Sequence, residues 1–453
     1  MTTDSALANV RTTCRICGSP DLCPVIDLGS QHIASIFVRD DVPPALLQPY
    51  PLELVRCSGR GGCGLVQLRH TIAQDVLYSD YGYRSGTNEI MRANLCEIVE
   101  RVEAMVLLRP GDLVVDIGCN DGTLLDSYAT PGVVKVGFDP APNVARLAEE
   151  KGVQVIGTYF SFEPFDERYP GCKARVITSV AMLYDLENPN RFVDDVAKML
   201  ADDGLWVIEL SYLPFMLHDG LYDTICHEHL EYYGLRQIEW MLERKGFRVH
   251  GIEFNDINGG SFRLFVRRRS FGDVLAEEAA GLEDIRVKER LCGLDTDAPY
   301  EAFCAAVQRT RQDLRASLET LKSDQKTVYV YGASTKGNTI LQYCGIDAGL
   351  IDKAADRNPE KWGRHTLGTN IPIVSEEQAR AEKPDFFLVL PWHFFDCFVE
   401  READFLRRGG KFILPLPELR IVGMEDVQRA GGWRRHDLTR WLDEAKSAQG
   451  RSQ

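Results

Sequence analysis

Short β-branched runs alternate along the middle of the chain with stretches whose apolar residues recur at helical intervals, a pattern that predicts an α/β sheet domain. The strand-like runs are Leu113 to Val115, Val136 to Asp139, Val153 to Ile156, Ala174 to Thr178 and Leu205 to Glu209. Asn88 to Leu107 and Asn190 to Leu200 have the apolar spacing of helices with one buried face. Arg248 to Phe254 and Ser261 to Arg267 flank Asn255-Asp-Ile-Asn258-Gly259-Gly260, which predicts an antiparallel hairpin closing the sheet. Phe271 to Asp324 predicts a helical connector, broken around Gly293 to Pro299. A second α/β unit starts at Val328 to Tyr331 and continues through Gly349 to Asp352 with Ala355 to Pro359, Phe386 to Leu390 and Gly410 to Leu414, runs that together predict a smaller parallel sheet. The expected division is a small N-terminal lobe over 1–75, an α/β domain over 76–270, the connector over 271–326, a second α/β domain over 327–424 and a charged tail over 425–453.

A chain of 453 residues with 44% hydrophobic and 26% charged residues has the composition of a soluble multidomain protein, not of a disordered or fibrous one. Its 52 basic and 67 acidic residues give a net charge of −15, which argues against nucleic acid or an anionic membrane as partner and leaves a small-molecule substrate. Met1 to Arg11 lacks the pattern of a signal peptide, and the apolar run Phe386 to Trp392 contains Pro391 and is far shorter than the ~20 residues of a membrane span. A cytoplasmic location is expected. Thirteen cysteines, nine of them thinly spread from Cys23 to Cys397, fit reduced thiols better than a disulfide framework.

The remaining four cysteines are arranged differently, as Cys14-Arg-Ile-Cys17 and Cys57-Ser-Gly-Arg-Gly-Gly-Cys63-Gly. Two short-range pairs on bendable turns predict a tetrahedral structural zinc site, with Cys23 as a reserve ligand. Four thiolates leave no open coordination position, so such an ion would hold the lobe together without doing chemistry.

The run Leu113-Val-Val-Asp116-Ile-Gly118-Cys-Asn120-Asp121-Gly122-Thr123 is a strand, a Gly-rich turn and a helix start. An acid at the strand end would repel a pyrophosphate but can hold a cationic amino-acid group. About twenty residues later Asp139 ends a second strand, where an acid can hold ribose hydroxyls. S-adenosyl-L-methionine has both groups, and the strand order fits a class I (Rossmann-like) methyltransferase domain. Asp116, Gly118, Asn120, Asp121, Gly122 and Asp139 are the expected cofactor residues, and Cys119 is expected to pack beside the turn.

Other segments have chemistry but no single reading. Tyr78-Ser-Asp-Tyr81-Gly-Tyr83-Arg-Ser85-Gly-Thr87 is either a loop that presents phenols to a ligand or a tyrosine-rich turn between lobes. In Cys226-His227-Glu228-His229-Leu-Glu231 the histidines are two apart, on different faces of a helix and unlike a zinc-protease motif. A histidine beside a carboxylate suits a general base; the alternative is a polar turn stabilised by its own charges. Tyr331-Gly332-Ala-Ser334-Thr-Lys336-Gly337-Asn338 is a second strand-turn-helix, able to cradle an anion or to serve as a tight turn.

The cysteine pairs, Asp116 to Gly122, His227-Glu228-His229 and Tyr331 to Asn338, in this order, resemble the sugar C-methyltransferases of nucleotide-linked deoxysugars over residues 12 to about 422. The resemblance implies an N-terminal zinc lobe, a central adenosylmethionine-binding domain and a C-terminal Rossmann-like domain, with the sugar nucleotide held between domains. It further implies C-methylation beside the keto group of a 4-keto sugar. A Glu-His pair would supply the base at Glu228 and His229, flanked by His227, with a loop tyrosine at Tyr81 or Tyr83. Ser85, Thr87, Asn258, Gly259 and Gly260 would lie near cofactor or sugar, and Gly332, Lys336 and Asn338 on the nucleotide side. Cys226 and His227 stand where the family's characterised pattern has Tyr and Asp, a difference that bears on the substrate.

Overall fold

The computed structural model describes residues 8–38, 44–73, 77 and 84–430. The N-terminal lobe consists of β1 (Ala8–Val10), β2 (Leu22–His32), β3 (Phe37–Val38), β4 (Pro49–Cys57), β5 (Val66–Leu68) and β6 (His70–Ile72). β2, β4 and β5 form an antiparallel sheet, and β1 pairs with β6.

Helix α1 (Glu89–Met105) is capped by Asn88, whose side chain accepts from the Ile90 and Met91 backbone, and it buries Met91, Leu95, Ile98, Val99 and Val102 along one stripe. Then come β7 (Leu113–Ile117), α2 (Thr123–Asp126), β8 (Val134–Phe138), α3 (Pro142–Glu150), β9 (Gln154–Ile156), α4 (Phe162–Arg168), β10 (Ala174–Val180), α5 (Pro189–Met199), β11 (Leu200–Ser211) and α6 (Leu213–His218). β12 (Glu231–Tyr232), α7 (Leu235–Glu243), β13 (Phe247–Asn255) and β14 (Ser261–Arg268) complete this part. The sheet has seven strands in the order β13-β14-β11-β10-β7-β8-β9, parallel from β11 to β9. The β13–β14 hairpin is antiparallel, as its flanking runs predict. Every residue of β7 is buried, which is why its sequence is apolar except for Asp116 and shows no alternation.

α8 (Ala276–Leu291) and α9 (Ala298–Ser323) form the connector, broken at the expected place. The C-terminal sheet holds β15 (Val328–Tyr331), β16 (Lys353–Asp356), β18 (Ile373–Ser375), β19 (Phe386–Val389), β20 (Lys411–Leu414) and β21 (Arg420–Val422), while the short β17 (His365–Thr366) pairs with β3 of the lobe. Its order is β18-β16-β15-β19-β20-β21, parallel except for β21, which runs antiparallel at the edge. α10 (Thr335–Cys344) follows β15, with Ser334 as N-cap and Gly345 at φ +62° ending it.

Long-range packing joins these parts. β12 adds a fourth strand to the lobe's sheet by pairing with β5. Ile26, Leu28, Leu52 and Leu54 of the lobe lie in one apolar cluster with Val330, Leu341 and Leu388 of the C-terminal domain. Cys14, Cys57, Cys63 and Leu65 belong to a second cluster with Phe192, Trp206 and Tyr233. No helix among the described residues is long and apolar enough to cross a membrane.

Candidate active site

The four lobe cysteines converge, with one sulfur from each lying within 4.8 Å of the others. Cys14 and Cys63 are 3.4 Å apart and Cys17 and Cys57 3.5 Å, near the ~3.8 Å between sulfurs of a tetrahedral site with Zn–S bonds of about 2.3 Å. The Cys63 thiol, then the backbone amides of Cys17 and Ile16, hold the Cys14 thiol down to about 5, while burial pushes Cys57 up to about 11 against the pull of the Gly64 amide. Gly62 is needed for close approach, since a Cβ there would lie 2.8 Å from the Cys57 sulfur. The donor set fits a closed zinc site. Cys23 is not part of it: its thiol donates to the Arg56 carbonyl.

At the carboxyl end of β7 the chain makes the expected Gly-rich turn. Gly118 at φ +75°, Asn120 at φ +50° and Gly122 at φ +73° carry it into α2. A Cβ at Gly122 would stand 2.8 Å from the Ala148 side chain, so the turn is pressed against α3. Asp116 Oδ1 accepts from Thr178 Oγ1 at 2.5 Å. Burial first, then the charge of Asp139, pushes the Asp116 carboxyl up to about 7, against the lowering by Thr178. Asp139 accepts from the Asn120 and Ala141 backbone amides, each at 2.9 Å, and burial raises its carboxyl too. Asp121 turns away to accept from Thr123 Oγ1 and the Gly86 amide, while Asn120 accepts from the Ser85 amide. Ser85 therefore lies on the turn, whereas Thr87 Oγ1 donates to the Arg84 carbonyl at the surface. Two acids and an open-backbone turn match the ammonium and ribose groups of adenosylmethionine. Cys119 is buried beside the turn, as expected.

The second cluster is the turn Cys226–His229, closed by the His229 amide on the Cys226 carbonyl at 3.2 Å. Its geometry sends the two histidines apart. His227 Nε2 meets the Tyr50 carbonyl of the lobe at 3.2 Å, while His229 Nδ1 is 2.8 Å from the Thr224 carbonyl, leaving Nε2 available. The Tyr184 ring lies edge-on to His229 with centroids 4.4 Å apart. Burial holds His229 down to about 4 against the opposing pull of the Thr224 carbonyl and of Glu228, and Lys336 adds to the lowering. The imidazole is thus neutral at physiological pH. Both carboxylate oxygens of Glu228 are buried without a hydrogen-bond partner. Lys336, in the first turn of α10, donates to the Asn258 carbonyl at 2.5 Å. Lys336 thus joins α10 to the Asn258 turn and lies within the electrostatic reach of His229.

Met182 and Tyr184 link the two clusters. Met182 faces Gly118 at 3.5 Å from a Cβ position, and Tyr184 touches His229. Other expected residues have packing duties. The Asn338 amide donates to the Ala34 carbonyl at 2.7 Å, tying α10 to the lobe. Cβ atoms at Gly332 and Gly337 would lie 2.5 Å from Pro391 and Leu390, and Gly259 faces Leu221 and Trp392. Tyr81 and Tyr83 lie outside the described residues. Sequence reasoning missed Thr178, Tyr184 and Thr224. Thr178 lies in β10 paired with Asp116 of β7 and was open to deduction from sheet order, but Thr224 acts through its backbone carbonyl and leaves no sequence signal.

Residues 256–417 match the family model for a C-methyltransferase C-terminal domain, residues 87–251 that for a methyltransferase domain, and residues 14–78 one described as "Putative zinc binding domain". C-methyltransferase NovU of Streptomyces niveus is 32% identical over 417 residues, 91% of this chain and 97% of that protein. A ubiquinone biosynthesis O-methyltransferase of Burkholderia thailandensis is 31% identical over 133 residues, 25% of this chain and 57% of its own. The structure of magnesium protoporphyrin IX methyltransferase from Synechocystis PCC 6803 aligns over 40% of this chain and 88% of its own, at 16% identity and a TM-score of 0.32.

Proposed function

The chain belongs to the C-methyltransferase family and is an S-adenosylmethionine-dependent enzyme, and from that premise we propose that it methylates a carbon next to the keto group of a nucleotide-linked 4-keto sugar. The observation that carries this reading is the histidine turn: a neutral imidazole with Nδ1 committed to a carbonyl, a buried carboxylate beside it and an ammonium in its field. A proton next to a ketone is acidic only when a positioned base takes it while a donor holds the charge growing on oxygen. His229 is the base, with Nε2 accepting the proton and Nδ1–H keeping the ring oriented through Thr224. Glu228, which already pulls the His229 value upward, stabilises the imidazolium once formed. Lys336 is the cation suited to the developing oxygen charge. Asp116 and Asp139 would hold the ammonium and ribose of the cofactor, with the Gly118–Gly122 turn along its amino-acid end. When bound, S-adenosylmethionine supplies the electrophilic methyl group. His227, turned to the Tyr50 carbonyl of the lobe, takes no part in the proposed proton transfer.

The test is incubation with methyl-labelled adenosylmethionine and a panel of nucleotide-linked 4-keto sugars in deuterated water. Label on a sugar carbon, with solvent deuterium entering at the same carbon in the absence of cofactor, is expected. Label on oxygen or nitrogen, or on no sugar despite tight cofactor binding, overturns the proposal. His229→Asn should lower turnover about 10²- to 10⁴-fold with cofactor affinity unchanged; undiminished turnover removes His229 from the role.

A further inference from the structure

Arg15 is the residue after Cys14 in the cysteine knuckle, and its side chain does not reach solvent. It is wholly buried, as is Glu231, and the two meet with Nε 3.5 Å from Oε1. The guanidinium is fixed by two further bonds, to the Leu68 carbonyl at 2.6 Å and to Thr71 Oγ1 at 2.5 Å, while the Arg15 backbone amide donates to Gln67 at 2.9 Å. A buried ion pair adds little net stability over apolar residues of the same size, so what it contributes is where it fixes its members.

Glu231 begins β12, two residues after His229. The backbone around it is gripped from both sides. The Leu230 carbonyl accepts from the Leu68 amide of the lobe at 2.9 Å, and the Leu230 amide donates to the Tyr184 carbonyl at 2.7 Å. Neither carboxyl oxygen of Glu231 makes a hydrogen bond; burial pushes this carboxyl well above the usual carboxylate range, and the Arg15 guanidinium is the strongest pull against that rise. Glu231 and His229 also line one small cavity, together with Tyr184 and Thr224. A continuous line of contacts thus runs from the cysteines through Arg15 and Glu231 to the segment that holds the imidazole.

We propose that Arg15 is a positioning residue for His229, so that the metal lobe sets the geometry of the base as well as closing on its own ion. The inference rests on the reading of His229 as base, but its decisive test needs no substrate. The Nδ1–H of His229, bonded to the Thr224 carbonyl, should give a slowly exchanging downfield imidazole proton in nuclear magnetic resonance spectra of the zinc-loaded protein, assigned by its loss in His229→Asn. In Arg15→Met that signal should broaden or disappear while zinc content and cofactor affinity stay within about twofold of the parent, and kcat should fall by up to about 10²-fold with little change in KM. Should Arg15→Met fail to fold, Glu231→Gln, which keeps shape and strand pairing, is expected to give the same loss of signal. An unchanged His229 signal in a folded, zinc-loaded variant overturns the proposal. So does loss of zinc or of cofactor binding in both variants, because the pair would then hold the lobe together and not place the histidine. If no sugar is methylated but the signal behaves as expected, the proposed substrate fails and the positioning role stands.

Discussion

Asp116 should make cofactor binding depend on pH in a direction fixed by its burial. Its carboxyl is pushed up to about 7 in the free protein. To pair with an ammonium it must give up its proton, so affinity falls as pH drops below 7. At pH 6 most of the group is protonated; binding should then release close to one proton and be about tenfold weaker than its high-pH limit. Isothermal titration calorimetry of adenosylmethionine in two buffers of different ionisation enthalpy counts that proton directly. The ligand's own α-amine titrates at about 8 and moves the count equally in Asp116→Asn, so the difference between the two proteins isolates Asp116. The same raised value has a stability consequence of fixed sign. Between the unfolded value of 3.8 and about 7 the folded state binds the extra proton, so the free protein loses stability as pH rises through that window, by on the order of 4 kcal/mol from this group. Flat affinity from pH 6 to 8, with no difference in proton release between the parent and Asp116→Asn, would refute the reasoning.

Two further perturbations test the scaffold around the turn. Arg263 is buried with Glu209 at 2.8 Å and Asn94 at 3.0 Å, tying β14 to β11 and α1; Arg263→Met leaves a buried carboxylate and should destabilise by about 3–5 kcal/mol. Protection of β11 and β14 amides against hydrogen exchange should fall more in Arg263→Met than in Arg263→Met/Glu209→Leu, and equal losses would deny that the unpaired charge is the cause. Gly122→Ala should weaken adenosylmethionine binding clearly more than Gly152→Ala weakens it. Both positions have positive φ, +73° and +81°, but only at Gly122 does a Cβ meet a neighbour, Ala148 at 2.8 Å. Similar Kd values for the two variants would show that crowding at the turn is not what the glycine prevents.

Much of the fold was legible because it rests on local patterns. Buried parallel strands are continuous apolar runs, and those at Leu113, Val136, Ala174 and Leu205 each lie in a strand of the observed sheet. The hairpin around Asn255 to Gly260 and the break between the connector helices were equally readable, since Gly, Asn and Pro announce turns through their own backbone preferences. The cysteine pairs announced a cluster, although the five residues between Cys57 and Cys63 exceed the common spacing. In the second Gly-rich turn, residue type alone left an anion cradle and a packing turn equally open; the nearness of Pro391 and Leu390 supplies the packing reason.

By itself the sequence determined the strands of the central sheet, the connector helices, the thiolate set and the acids near the strand ends, because each depends on residues close in the chain; the strands of the lobe and β12 came only with the structure. Tertiary structure decided what those residues do to one another. It turned His227 toward Tyr50 and His229 toward Thr224, brought Lys336 from another domain into the field of His229, and gave the lobe a fourth strand from the segment that follows the histidine turn. Most of these outcomes rest on contacts between residues scores of positions apart, all of them on burial, which moves Asp116 to about 7 and His229 to about 4, or on backbone carbonyls that every residue type provides alike. None of these can be read from residue types and spacing alone, since burial and the neighbours that shift a charge exist only once the chain has closed on itself.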